Sequence, residues 1–332
     1  KMCSYKMSTD AWKTLYFNMI NIKMYTLKYS LYNMMVKMFN IMGLYASMLL
    51  YNNNMFQRTN VTRFIHYNNK KMDNLNMNEW LVGMTDCNGL FNININKNNN
   101  NINFEYKIML NKNNIQLLYK IKKYLNIGSV MYNNNMVFYI IKNNNHLMNI
   151  IMPIFNNNML LTNKMYNYLE FKECLLIYNN NKYDMLTKIN MINNIMNLNI
   201  NYNINNNNMI MTKSWLIGYM ESKQSFYLIN NNNNIIHKFY MNNMNYTLLN
   251  NIKMLLNINN NIYYDNNMYI LETTNNKNIE YIINYFMFKD HKCKFMGMKS
   301  YEFIIWKRSY YKYKNNNNKL LYIQSLLNKY YK

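Results

Sequence analysis

Proline and glycine are nearly missing from this sequence, 1 Pro and 6 Gly in 332 residues. Met (33) and Tyr (34) are in excess instead, with much Asn, Ile and Lys. No folding requirement produces that profile, whereas codons rich in A and T do. Asn runs such as 98–101 are therefore read as neutral loop filler rather than prion-like segments.

Cysteine is sparse as well. Cys3, Cys87, Cys174 and Cys293 stand far apart with no paired spacing, which excludes a zinc module and leaves four reduced thiols. His66, His146, His237 and His291 are equally scattered, so a histidine metal site is not expected. No apolar run reaches the roughly 20 residues that a bilayer requires. The nearest, 31–50, is broken by Asn33, Lys37 and Asn40 and reads as an amphipathic helix.

Acidic residues number only 14 against 37 Lys plus Arg, giving a formal charge of +23 and a pI near 9.6. Such a surplus is the electrostatic footprint of a polyanion binder. Arginine, however, is limited to Arg58, Arg63 and Arg308. Phosphate contacts then fall to Lys and base reading to Asn, Gln and Ser, with bidentate Arg–guanine contacts minor.

What the sequence does contain is an internal repeat. Trp80-Leu81-Val82-Gly83 recurs 135 residues later as Trp215-Leu216-Ile217-Gly218. The same offset carries Phe91 onto Phe226, and Lys164, Tyr168 and Phe171 onto Lys299, Phe303 and Trp306. In between the offset becomes 131, pairing Leu117-Leu118 with Leu248-Leu249 and Phe155 with Phe286. The first repeat thus has the longer early hairpin and the second the longer late loop, insertions that leave packed elements alone.

Local patterning fills in each repeat. The Trp-Leu-x-Gly segment is apolar enough for a buried helix. Residues 91–96 alternate strictly, with Phe91, Ile93 and Ile95 on the core face and Asn92, Asn94 and Asn96 free to touch a ligand. Residues 116–125 return to helical spacing, 137–141 read as a strand and 165–175 as a further helix. The unit is an αββαββα repeat.

Leu81-Val82-Gly83-Met84-Thr85-Asp86-Cys87-Asn88-Gly89 resembles the LAGLIDADG motif of homing endonucleases and group I intron maturases, and Leu216-Ile217-Gly218-Tyr219-Met220-Glu221-Ser222-Lys223-Gln224 resembles a second copy. The resemblance runs from about 78 to 313. It implies an α+β fold in which two pseudo-symmetric repeats form a basic saddle of antiparallel sheets, and in which Gly83 and Gly218 let the motif helices approach closely. On this reading 1–77 are a helical basic extension, 78–177 the first repeat, 178–212 an Asn-rich linker with a helical stretch, 213–313 the second repeat and 314–332 a basic tail.

In the family, the acid at the eighth motif position binds the divalent metals that drive strand cleavage. Asn88 and Lys223 stand there instead, one a neutral carbonyl and the other a cation without lone pairs. Asp86 and Glu221, two positions earlier, lie on another helical face and read as structural. Lys164 and Lys299 match the family's basic residue near the scissile phosphate, and with Asn92, Asn94, Asn96 and Lys97 are the nucleic-acid-binding candidates.

These readings give an expectation: a splicing cofactor rather than an enzyme, with endonuclease activity lost. It would be a monomeric maturase holding group I intron RNA, with residual DNA binding and a nuclear-encoded splicing helper as further partners. No cofactor is expected at a protein site, Mg²⁺ acting on the RNA. Met usage points to an organelle code that reads an isoleucine codon as methionine, hence a fungal mitochondrion, in the matrix or peripheral to the inner membrane. The alternatives are a DNA-binding homing endonuclease, degenerate or residually active, and a structural component of a mitochondrial ribonucleoprotein such as the ribosome.

Overall fold

The computed structural model describes residues 75–96, 101–197, 211–232 and 234–331, with side chains through 328. The extension read over 1–77, up to residue 74, and Lys97 lie outside the described residues.

The first repeat opens with α1 (Met77–Asn88), started by the Asn76 side chain, which accepts from the amides of Asn78 and Glu79. There follow β1 (Gly89–Asn96), β2 (Asn101–Asn111), α2 (Ile115–Leu125), β3 (Ser129–Asn133) and β4 (Met136–Ile141). Next comes α3, whose turns run Asn144–His146, Leu147–Ile151 and Met152–Asn157 with a π-helical middle, then α4 (Lys164–Tyr178) and α5 (Met185–Asn197). The second repeat matches it: α6 (Lys213–Met220), β5 (Phe226–Asn231), β6 (Asn234–Asn243), α7 (Tyr246–Leu255), β7 (Tyr263–Asp265), β8 (Met268–Thr273), α8 (Asn276–Tyr285) and α9 (Lys299–Tyr313). A last helix, α10 (Asn317–Tyr331), buries Leu320, Ile323 and Leu327.

Each repeat forms one four-stranded antiparallel sheet, ordered β1-β2-β4-β3 and β5-β6-β8-β7. The α+β two-repeat architecture is therefore the observed one, with one addition: two helices, not one, follow the second hairpin of each repeat. Pro153 near the start of the last turn of α3, together with the π turn, breaks the periodicity that would have announced the first of them.

Asparagine does in this chain what glycine does elsewhere. Among the described residues, six of the seven non-glycine residues at positive φ are Asn, among them Asn266 and Asn267 at 47° and 62° between β7 and β8. Two successive left-handed residues make the tight turn whose twist suits a two-residue hairpin, and Asn tolerates that region better than other side chains. Some of the Asn excess is thus structural rather than filler.

The cores explain the sequence repeat. Phe91 packs on Tyr168 and Phe171 with ring centroids 5.2 and 5.3 Å away, and Phe226 packs on Phe303 and Trp306 at 5.1 and 5.0 Å. Phe155 and Phe286 complete the two clusters, at 5.2 and 6.1 Å from Phe91 and Phe226. All are buried between a sheet and its helices. Aromatic rings in such edge and tilted contacts add about 0.5–1.5 kcal/mol per pair beyond the area they bury.

Candidate nucleic-acid site at the paired helix ends

The repeats meet through α1 and α6. A β carbon added at Gly83 would lie 1.9 Å from the carbonyl oxygen of Trp215, and one at Gly218 would lie 1.9 Å from that of Trp80. Only glycine permits this backbone approach, the small-residue logic of tightly crossing helices.

At the lower ends of these helices both motif acids turn away from solvent into loops. Asp86 accepts from the Leu161 amide (2.8 Å), the Thr162 amide and hydroxyl (3.1 and 2.5 Å) and the Trp215 indole across the interface (2.8 Å). Glu221 accepts from the amides of Met296 (2.6 Å) and Gly297 (3.1 Å). Burial pushes the Asp86 carboxyl above its ordinary range, opposed by those hydrogen bonds. Burial likewise raises Glu221 to about 7, against the pull of the two amides and the Lys299 charge. Each acid fixes the loop before the late helix of its own repeat.

The seventh and eighth motif positions of the first repeat meet the seventh of the second. Asn88 Oδ1 accepts from the Ser222 hydroxyl, Asn88 Nδ2 donates to the Met109 carbonyl at 3.2 Å, and Cys87 Sγ lies 3.2 Å from Ser222 Oγ. Cys87 and Ser222 are the same motif position in the two repeats, so this contact across the axis was latent in the offset. Lys223 follows in the turn after α6, half-buried, with Nζ 5.7 Å from the Tyr219 ring centre.

The two matched lysines do not share a role. Lys164 is half-buried and its Nζ donates to the carbonyls of Thr85 and Cys87, both at 3.0 Å, at the C-terminal end of α1 where the helix dipole favours a cation. Lys299 is only 4% exposed and its Nζ is bound to Glu302 at 2.7 Å. Its expected place among the nucleic-acid contacts is corrected accordingly: the ammonium serves an internal ion pair. Asn94 and Asn96 are exposed and Asn92 is half-buried on the outer face of the first sheet, beside Glu105 and Lys107 of β2.

A hard divalent cation such as Mg²⁺ favours sites that supply at least one or two carboxylate oxygens. Asn88 offers one amide oxygen, already hydrogen-bonded, Lys223 offers none, and both neighbouring carboxylates are buried and hydrogen-bonded to the loops before the late helices. Among the described residues no group of three or more His, Cys, Asp or Glu is placed to hold a metal. The donor set here does not fit the metal that the motif resemblance implies.

A pair of matched α+β repeats, joined by glycine-paired helices and each with polar side chains on the outer face of its sheet, defines a two-lobed scaffold. The LAGLIDADG endonuclease family model matches residues 81–175. The Schizosaccharomyces pombe protein named "Probable intron-encoded endonuclease Cox1-I1b" is 34% identical over 268 residues, covering 76% of this chain and 68% of that protein. The Kluyveromyces lactis "Probable intron-encoded endonuclease aI3" is 33% identical over 262 residues, covering 68% of this chain and 63% of its own length. The chain thus spans about two thirds of the length of these two relatives. It belongs to the LAGLIDADG endonuclease family.

Solved structures agree on the fold. Meganuclease I-SmaMI bound to uncleaveable DNA superposes with a TM-score of 0.66 at 21% identity, covering 76% of this chain and 98% of that one. LAGLIDADG meganuclease I-CpaMI bound to uncleaved DNA gives 0.63 at 21%, covering 75% and 98%. The expectation of a non-enzyme, drawn from Asn88 and Lys223 alone, is overturned by this company of relatives named endonucleases and meganuclease neighbours. Two side chains at a helix end were asked to outweigh a whole scaffold.

Proposed function

We propose that the chain is an intron-encoded DNA endonuclease of the homing type, acting on mitochondrial duplex DNA in the matrix. The observation that supports this reading is the glycine-paired axis between α1 and α6, which joins two repeats that each carry a sheet of the same strand order, an arrangement suited to the two halves of one duplex. DNA is the ligand of the meganuclease neighbours, and a mitochondrial, intron-encoded origin is in keeping with the names of the relatives, including a Saccharomyces cerevisiae "Uncharacterized mitochondrial protein RF1", 31% identical over 169 residues. The formal charge of +23 supplies the affinity that phosphate neutralisation provides. Outer-face Asn94 and Asn96 supply amides suited to adenine edges. Lys164 and Lys223 receive the backbone at the helix ends.

The test is cleavage. Fragmented mitochondrial DNA from a strain lacking the intron is incubated with the purified chain in Mg²⁺ buffer, and the new ends are sequenced. Ends should cluster at a single locus, the intron insertion site; ends no more clustered than in a protein-free control contradict the proposal.

Binding of group I intron RNA is a second reading, favoured by one observation. Tyr301, Tyr311 and Tyr322 on α9 and α10 are 56–61% exposed, and exposed rings can stack on unpaired bases. Competition of intron RNA against duplex DNA for the chain separates the two: displacement of DNA by equimolar RNA supports the RNA role, and none at large excess opposes it.

A further inference from the structure

The ends of α1 and α6 open onto one concavity of about 670 Å³, whose lining includes Cys87, Thr162, Lys164, Tyr219, Lys223 and Asn243. Its two cations come from different repeats and reach it by different routes. Lys164 is tied down by the carbonyls of Thr85 and Cys87, while Lys223 occupies the position that carries a carboxylate in the family motif. Among the described residues neither ammonium has a carboxylate within 4.0 Å. Asp86, the one acid lining the concavity, has its oxygens committed to four donors.

Two like charges held in one half-enclosed space with no carboxylate in salt-bridge contact repel one another. Burial lowers the affinity of Lys164 for its proton, Cys87 and Asp86 pull the other way, and the Lys223 charge adds a smaller lowering. An anion entering the concavity relieves the repulsion and gains charge-assisted hydrogen bonds from both. The same place is where the donor set fails to suit a divalent cation, so positive charge is present there without one.

We propose that Lys164 and Lys223 together bind a backbone phosphate, their ammonium groups standing in for a divalent cation, so that duplex DNA docks at the ends of α1 and α6 without Mg²⁺. The inference rests on the DNA reading above and specifies how that site takes its substrate.

Duplex affinity is measured by fluorescence anisotropy at matched ionic strength, once with EDTA and once with Mg²⁺, using the locus found by cleavage or, failing one, sheared mitochondrial DNA. The native chain should bind equally in both, within about twofold, because the counterion effect is held constant. Lys223→Gln should weaken binding about tenfold in both buffers, the scale of one charge-assisted phosphate contact, while Lys223→Arg keeps it. The paired change of Asn88→Asp with Lys223→Asp should bind poorly in EDTA and recover in Mg²⁺. Collapse of native binding in EDTA, or a Lys223→Gln loss no larger than that of Lys123→Gln on the exposed face of α2, overturns the proposal.

A second probe keeps this result apart from the DNA reading. Inorganic pyrophosphate in EDTA should raise the melting temperature of the native chain and of Lys123→Gln, but not of Lys223→Gln or Lys164→Gln. Equal stabilisation of all four overturns the phosphate site even if duplex binding is strong. Selective stabilisation in a chain that binds no duplex supports the site and defeats the DNA reading instead.

Discussion

The two repeats share a core and differ at their ends. In the first, α1 runs through Asn88 straight into β1; in the second, α6 stops at Met220 and Lys223 falls in a turn. The first leaves its lysine at the mouth of the concavity, bonded to helix carbonyls, whereas the second buries Lys299 against Glu302. Their outer sheet faces differ too. The first presents Asn94, Asn96 and Asn103, the second Tyr227, Tyr240 and the Lys238–Glu272 pair. A duplicated fold keeps what packing demands and lets surface chemistry diverge.

Breaking the Lys299–Glu302 pair gives the largest expected effect. Lys299→Met strands a buried carboxylate and should cost about 3–5 kcal/mol in chemical denaturation. Lys164→Met, which removes an ammonium bonded to carbonyls rather than to a carboxylate, should cost far less stability and show its loss in DNA affinity. Equal destabilisation by the two would remove the distinction between them.

Gly83→Ala and Gly218→Ala come next, each expected to cost about 1–3 kcal/mol or more because the new methyl meets backbone rather than a movable side chain. Their losses should be alike, since both sites meet a carbonyl oxygen at 1.9 Å. Unequal losses would mean that the axis is less symmetric than the glycines suggest.

Glu221 sets a pH dependence. Its carboxyl goes from 4.5 in the unfolded chain to about 7 in the fold. The native state therefore holds the proton more tightly across that window. The stability this group contributes is full below pH 4.5 and is lost as pH rises to about 7, by at most about 1.4 kcal/mol per pH unit. Urea titrations of the native chain and Glu221→Gln should show their stability difference shifting in favour of the variant over that range; a constant difference would contradict it.

Much of the fold was legible because the signal lay in the core. Phe91, Tyr168 and Phe171 recur as Phe226, Phe303 and Trp306 since one packing geometry serves both repeats. The site was less so. Lys164 and Lys299 align perfectly, and what separates them is a neighbour three residues on, Asn167 in one and Glu302 in the other, a difference one helical turn makes decisive. Helix α10 hid in a basic tail although Leu320, Ile323 and Leu327 mark its buried face. Asn88 and Lys223 were overread, because a missing ligand says what a site lacks and not what the scaffold does.

The smallest effects belong to the sheet faces. Asn94→Ala or Asn96→Ala should each weaken sequence-selective duplex binding by about 1 kcal/mol, the low end for an amide reading a base edge. Either change should alter only the half of the DNA that lies under the first repeat.

That the two unlike sheets read one duplex is tested most directly by hydroxyl-radical footprinting of the bound cleavage site. The account predicts two protected half-sites flanking the cut, with protection of only one half weakened by Asn94→Ala. Protection of a single half-site, or of none beside a well-protected intron RNA, would contradict it.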